Sequence, residues 1–463
     1  GHSPLDGCAE AFRRGSSWGT TFDANGDGLA DLVVGAPGAS ANTGRAYAYL
    51  STASGLPASP STTLGGPDGA NGNFGGALSS AGDVNGDGFA DLLVAADSVD
   101  VFAGRVYVYP GGTAGLAASP ALTLLAPDGA YGHFGSSVAS AGDVNGDGFA
   151  DVVVGARSAA SLSGRAYLYL GSGAGLATLP ALTLLPPDSM GSFGCSVTGA
   201  GDVNGDGFGD LAIGAYGVNS SVGRAYLYLG GAAGIGALPG VALVGPDGSY
   251  GNFGGSLAPA DDVNGDGLAD LVVGAYGVAM SAGRAYVYLG TASGVSSVPS
   301  VTLIAPDGAG GHFGTSVSGA GDSNGDGFAD LVIGADGVGT STGRVYRYLG
   351  SATGVSTAPW ITFTGPDGTS GFFGGSVRSL GDVNGDGLAD VAIGARGVAT
   401  WTGRAYLSAG SSLAVAATTL TLVGPDGTNG SFGSAVASAR VGTALPFVSF
   451  AHQRYPSQAL LLD

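Results

Sequence analysis

The chain has 463 residues, 92 of them Gly and 21 Pro, and sets 15 basic against 35 acidic side chains for a formal net charge of −20. Every basic residue is Arg and the Arg are scattered, which excludes a phosphate-backbone binder, because that surface needs clustered Lys and Arg. No run of eighteen apolar residues is present, so no segment reads as a membrane-spanning helix, and two Cys (Cys8 and Cys195) do not make a disulfide framework.

In chain order, residues 1–13 open with Pro4-Leu5-Asp6-Gly7, an echo of a later Pro-Asp-Gly, and read as a closing segment. A first strand is expected near Arg14, where Arg14-Gly15-Ser16-Ser17 aligns with Phe134-Gly135-Ser136-Ser137. A nine-residue acidic stretch then begins at Asp23 and recurs at Asp83, Asp143, Asp202, Asp262, Asp322 and Asp382, each 59 or 60 residues after the last. Internal repetition at that period marks a repeat architecture.

The second copy shows one whole repeat. Phe74 to Ala81 reads as a strand, Asp83 to Asp91 as a tight connection, and Leu92 to Ala96 as a second strand. Ser98 to Ala103 is a variable loop, Arg105 to Tyr109 a third strand, Gly111 to Pro120 a loop, and Ala121 to Ala126 a fourth strand. Four short strands per repeat, punctuated by Gly and Pro, predict an all-β fold, a β-propeller of four-stranded blades in one domain over residues 1–463. First strands open near Arg14, Phe74, Phe134, Phe193, Phe253, Phe313, Phe373 and Phe432, which favours eight blades, with seven as the alternative. In the eight-bladed reading, residues 432–463 form a degenerate last blade without an acidic loop, completed by the N-terminal segment.

Each acidic nonapeptide offers oxygens at positions 1, 3 and 5, a carbonyl at 7 and a carboxylate at 9, with Gly at 4 and 6. Hard cations with six to eight oxygen ligands want that set, and Ca²⁺ suits it better than Mg²⁺, which demands stricter octahedral geometry. The expected ligands in the first loop are Asp23, Asn25, Asp27, Leu29 and Asp31, and in the second Asp83, Asn85, Asp87, Phe89 and Asp91. The third gives Asp143, Asn145, Asp147, Phe149 and Asp151, and the fourth Asp202, Asn204, Asp206, Phe208 and Asp210. The fifth gives Asp262, Asn264, Asp266, Leu268 and Asp270, the sixth Asp322, Asn324, Asp326, Phe328 and Asp330, and the seventh Asp382, Asn384, Asp386, Leu388 and Asp390. One such loop alone reads equally well as a solvated acidic turn; seven at near-constant spacing point to metal. Of the acids, 21 are Asp in these loops and eight the Asp of Pro-Asp-Gly-like turns, so up to seven Ca²⁺ would move the formal charge from −20 to −6. Calcium loops of extracellular modules fill at roughly 10⁻⁴ to 10⁻³ M, which points to a secreted or cell-surface protein.

Three recurrent features read as structural. Thirteen of the eighteen Tyr lie in the third strand and should pack between blades, as should the Phe that opens each first strand. Arg45, Arg105, Arg165, Arg224, Arg284, Arg344 and Arg404 each open a third strand and match the Pro-Asp-Gly aspartates in number, which suggests a bracing pair. Unpaired thiols at Cys8 and Cys195 are the simpler reading, with a bridge between them as the alternative.

The motif Phe-Gly followed by Gly-Asp-x-Asn-Gly-Asp-Gly-x-x-Asp-Leu-x-x-Gly-Ala, as in Phe134-Gly135, Gly142 to Asp151 and Gly155-Ala156, resembles the FG-GAP repeat of the integrin α-subunit propeller and its bacterial relatives. The resemblance spans nearly the whole chain. It implies Ca²⁺ in the hairpins between first and second strands on a lower face, and ligand recognition on the opposite face. Integrin propellers have seven blades with only a few calcium loops, so the seven loops here are a departure. No stalk domains or membrane anchor are read in these residues, so integrin-like signalling is not expected.

On the upper face the residues that differ most between repeats are Arg157, Tyr216, Tyr276, Arg396 and Trp401 in one set of loops and Tyr131, His133, Tyr250 and His312 in the other. Rings that stack beside polar groups that orient suit a glycan or an extracellular protein as partner. Ordinary drift in tolerant loops explains any single position as well. The four His occupy unrelated contexts, no Ser/His/Asp or zinc spacing recurs, and the Asp pairs within a loop, which could mimic a glycosidase dyad, are better explained by metal ligation, so a non-enzymatic, monomeric adhesin or lectin is expected. A structural domain of a larger surface protein and a polysaccharide hydrolase on the same scaffold are the alternatives.

Overall fold

A computed structural model describes residues 22–415 and 418–437. Within it, seven four-stranded antiparallel sheets follow one another along the chain. In the second blade the strands are Ala77–Gly82, Asp91–Ala96, Arg105–Tyr109 and Leu122–Leu125, in that order from the innermost outward. The second strand is buried at every residue, because each face of it meets a neighbouring blade.

The innermost strands succeed one another around a common axis, and the ring closes between the seventh blade and the second through Val436–Ala437. That two-residue strand pairs antiparallel with Leu32–Ala36, so the first blade takes its inner strand from the far end of the sequence and its other three from Leu32–Ala36, Arg45–Tyr49 and Thr62–Gly65. Seven blades are therefore seen where eight were favoured. The Phe432 strand opens no eighth blade; it completes the first. The strand expected near Arg14, the closing segment 1–13 and the remainder of the eighth blade lie outside the described residues.

Each seam between blades repeats one set of contacts. The opening Phe of one blade meets the first Tyr of its third strand at 5.4 to 5.7 Å between ring centres, from Phe373 on Tyr406 to Phe432 on Tyr47. These Phe are essentially inaccessible to solvent, and all thirteen strand Tyr are buried. Ser196, Ser256, Ser316 and Ser376 each donate a hydroxyl to the carbonyl of the next blade's Phe-Gly glycine at 2.8 to 2.9 Å. That close approach needs Gly on the second strand: a Cβ at Gly155 would stand 2.0 Å from the Gly194 carbonyl oxygen.

The expected Arg and Asp braces form. Arg105, Arg165, Arg284, Arg344 and Arg404 hold Asp68, Asp128, Asp247, Asp307 and Asp367, Arg224 reaches Asp188 at 3.3 Å, and Arg45 reaches Asp426 at 2.7 Å. The last of these joins residues 381 apart in sequence and so belongs to the closure.

One buried residue breaks the pattern. Arg347 stands on the third strand of the sixth blade where the other repeats carry Ala48, Val108, Leu168, Leu227, Val287 and Leu407. It is 1% exposed, lies over the Phe363 ring at 5.7 Å, and none of its three guanidinium nitrogens has a hydrogen-bond partner among the described residues. Burial lowers its proton affinity. A buried cation without hydrogen bonds is replaced by an apolar side chain at a gain of about 1 to 4 kcal/mol. Arg347→Leu should accordingly raise the urea midpoint, and a lower midpoint would show that the guanidinium is needed where it is.

Candidate functional site

Antiparallel order sends the acidic loops and the third-to-fourth connections to one end of the ring, and the second-to-third and fourth-to-first connections to the other. The two ends differ in chemistry.

On the acidic end, each loop is closed on itself by its own carboxylates. In the second loop, Asp83 accepts the backbone N–H of Gly86, Asp87 and Gly88, Asn85 accepts that of Asp87, and Asp87 accepts that of Phe89. Gly86 has φ +75°, and a Cβ on it would stand 2.7 Å from the Phe149 ring of the next loop, so Gly is required there twice over. The ninth residue is the floor. Asp91 is 1% exposed and accepts the N–H of Val84 and of Gly111. Burial first, and the nearby charges of Asp87 and Asp83, push its carboxyl from the ordinary 3.8 up to about 7, against the pull of those two N–H bonds. The same causes lift Asp31, Asp151, Asp210 and Asp270 to about 7, and Asp390 to about 6.

The seven loops are also tied to one another. The N–H at position 8 of each donates to the carbonyl at position 1 of the loop before: Ala90 to Asp23 at 3.0 Å, Ala150 to Asp83 at 3.0 Å, and so on to Ala30 to Asp382 at 3.1 Å, which closes the circuit across the termini. Six of the loops join strands of one blade; the first precedes the second strand of a blade whose inner strand comes from Val436–Ala437.

The donor set fits a hard dication, since every available group is an oxygen and three carboxylates stand in each loop with no basic side chain among them. As the loops stand, no three His, Cys, Asp or Glu among the described residues are gathered tightly enough to hold an ion. An ion would draw on carboxylate oxygens now shared with backbone N–H.

On the opposite end, the second-to-third connection holds a turn that the sequence did not disclose. Three successive residues take left-handed conformation, as in Asp100, Val101 and Phe102 at φ 50°, 57° and 61°, and only the sixth repeat uses Gly in it, at Gly339. Left-handed backbone costs about 1 to 2 kcal/mol per L-residue, so something must hold it. The carbonyls of the turn accept N–H groups of the following connection: Tyr131 donates to Val101 at 3.0 Å and His133 to Phe102 at 2.8 Å, with counterparts around the ring.

The upper-face candidates fall into three groups. Asp97 gathers Arg157 at 3.6 Å and His133 at 3.3 Å, and His133 lies 5.0 Å from the exposed ring of Phe102. Asp336 likewise gathers Arg396 at 3.3 Å and His312 at 3.1 Å. Arg396 covers the Phe372 ring at 4.8 Å, and Phe372 stacks on Trp401 at 5.6 Å. Tyr216 and Tyr276 occupy the same repeat position in adjacent blades, where burial first, then Tyr216 and Cys195, raise the Tyr276 hydroxyl. Tyr131 and Tyr250 stand apart from these groups, 64% and 73% exposed. The hubs, Asp97 and Asp336, were outside the candidate set. Their signal is an Asp one repeat before an Arg at the same position, at 97 and 157 and again at 336 and 396. Cys195 is a free thiol whose sulfur lies 3.6 Å from the Gly254 carbonyl, and Cys8 lies outside the described residues.

A closed ring of seven four-stranded sheets with an acidic hairpin at the base of each defines a repeat propeller of the kind that carries FG-GAP motifs. The chain belongs to that family: the FG-GAP-like repeat matches residues 23–94, 83–154, 143–213 and 262–333, and the FG-GAP repeat residues 373–408. Its relatives include integrin α-5 of Xenopus laevis, 36% identical over 228 residues, and integrin α-V of Gallus gallus, 34% identical over 236 residues. Each match covers 46% of this chain and 21% of the relative, so the likeness extends over about a fifth of these longer proteins. Among solved structures, a protein from Lactobacillus plantarum superposes with a TM-score of 0.54 over 89% of this chain and 99% of its own at 13% identity, a likeness of fold.

Proposed function

We propose that this propeller is a calcium-stabilised, non-catalytic recognition module that works outside the cell and engages glycans or surface proteins through its upper face. The observation that carries the reading is the upper backbone: left-handed turns cross-bonded to the next connection recur around the ring, while the side chains they present change from blade to blade. Rigid backbone with varied side chains is what an adaptable binding face requires. Exposed aromatics at Phe102, Tyr131, Tyr250 and Trp401 supply contact area.

The upper carboxylates support recognition over hydrolysis. Asp97 and Asp336 are each engaged by an Arg and a His, so both carboxylates are committed to those partners and are not set as an isolated acid pair of the glycosidase kind. The integrin α relatives are consistent with an adhesive role. No helix among the described residues is long and apolar enough to cross a membrane.

Calcium would be held in each loop by the residues at positions 1, 3, 5, 7 and 9, for example Asp83, Asn85, Asp87, the Phe89 carbonyl and Asp91. The ion's contribution is to cancel the carboxylates' mutual repulsion and stiffen the hairpin. The chain's own part is to hold the ninth carboxylate in the floor and to pass each loop's position to the next through the ring of N–H bonds.

Screening of the purified protein on a glycan array and a panel of extracellular matrix proteins, with calcium and again with chelator, tests the reading. Binding that depends on calcium is expected. Turnover of any polysaccharide, or silence across both panels, would remove it.

A further inference from the structure

The residue that follows the second strand forms a seven-membered series around the axis: Pro37, Asp97, Arg157, Tyr216, Tyr276, Asp336 and Arg396. Four of these side chains are held in neighbouring couples, Asp97 with Arg157 and Asp336 with Arg396, and Tyr216 and Tyr276 follow one another in adjacent blades. The seventh is Pro37, too short to reach a partner. A cleft of about 280 Å³ opens beside it, lined by Pro37, Gly76, Asn42, Asn73, Asp97 and Arg157 and by Ser431 and Ser434. The corresponding place before Asp336 carries Tyr276. The cleft thus owes its opening to Pro37, where every other repeat carries a longer side chain, and to Gly76, where four repeats carry Ser136, Cys195, Thr315 and Ser434 and two keep Gly.

Its chemistry is specific. The Asp97 carboxylate is fixed from two sides, by the Ser98 hydroxyl at 3.0 Å on one oxygen and His133 at 3.3 Å on the other. Asn73 donates its amide N–H to the Ser98 hydroxyl at 2.8 Å, which leaves its carbonyl end to the cleft. The Arg157 guanidinium, on a side chain 40% exposed, supplies donors 3.6 Å from Asp97, so the pair presents acceptor and donor side by side with no net charge. The volume falls at the bottom of the range of small-molecule pockets, roughly 300 Å³ upward, and suits a single ring more than a peptide.

We propose that this cleft binds one neutral hexose-class sugar unit, whose adjacent hydroxyls bridge Asp97, Arg157 and the amides of Asn73 and Asn42. The inference rests on the reading of the upper face as a recognition surface and narrows it to a site and a ligand class. Sugar hydroxyls both donate and accept, which matches this mixed lining. An acidic sugar is disfavoured because Asp97 already neutralises Arg157, the one cationic side chain among the described residues that line the cleft, and the whole chain carries −20.

Saturation-transfer NMR on the full chain in millimolar calcium, with glucose, galactose and mannose as probes and glucuronate beside them, tests the site. Pro37→Tyr installs a residue that the chain itself uses at positions 216 and 276, and Gly76→Ser one that it uses at 136 and 434. Arg157→Ala removes the donor. At least one neutral probe should bind the parent protein, and at least tenfold more weakly each of the three variants, whose melting temperatures confirm folding. Undiminished binding by folded Pro37→Tyr and Gly76→Ser, preference for glucuronate, or no neutral probe bound would overturn the proposal. In those outcomes the broader reading survives if the glycan or matrix panel is positive and falls with it if the panel is silent.

Discussion

Chelation of calcium is expected to lower the melting temperature steeply, and the pH dependence of melting should run in opposite directions with and without the ion, as loop occupancy requires. Each ion bound at 100 times its dissociation constant stabilises the folded state by about 2.7 kcal/mol, and there are seven loops to fill. Without the ion, the ninth-position carboxylates are buried and pushed up to about 7 in Asp31, Asp91, Asp151, Asp210 and Asp270. A carboxyl whose folded value is raised binds its proton more tightly folded than unfolded. Its stabilising effect is complete below the unfolded value of 3.8 and is lost as pH rises toward 7. The calcium-free protein should therefore melt higher at pH 5 than at pH 7.5. The calcium-loaded protein should do the reverse, because protons compete with the ion for the same oxygens. Calorimetry at the two pH values, with calcium and with chelator, gives four melting temperatures. Equal values with and without chelator would deny these loops a metal.

The ring of bonds from position 8 of one loop to position 1 of the last adds a second signature. Loops coupled in a closed circuit do not fill independently, so Asp147→Asn in the third loop should weaken calcium binding beyond that loop alone.

Most of this architecture was legible because it is repeated. A loop, or an Arg paired with an Asp, seen once is ambiguous; seen seven times at one spacing, each has a single economical explanation. The blade count failed for the same reason. Counting Phe-Gly openings assigns one blade to each, yet the opening at Phe432 completes a sheet whose second strand is Leu32–Ala36, a pairing with no periodic trace. The left-handed turns were also hidden, since Val101 and Phe102 carry no Gly signal and hold their conformation through bonds to Tyr131 and His133. On the upper face, Arg157 and His133 were visible as variable side chains. The carboxylate that joins them belongs to the previous repeat, and only the fold brings it there.

Phe432→Ala should destabilise the protein more than the same substitution at an internal seam. Both Phe432 and Phe253 are buried, at 0% and 1% exposed, and each meets a third-strand Tyr, Tyr47 at 5.7 Å and Tyr286 at 5.6 Å. Truncating a buried Phe costs about 3 to 5 kcal/mol in either place. At Phe253 the chain runs unbroken from one blade into the next, so the inner strand stays close when packing is lost. At Phe432 the junction is held by side chains and hydrogen bonds: Val436–Ala437 on Leu32–Ala36, Arg45 on Asp426, Ser376 on Gly433 and Ala30 on Asp382. Loss of that strand would leave the edge of Leu32–Ala36, buried at all five residues, open to another chain. Urea unfolding should place Phe432→Ala below Phe253→Ala, and light scattering should show self-association in Phe432→Ala alone. Equal midpoints with both variants monomeric would mean that the closing seam bears no more than its share.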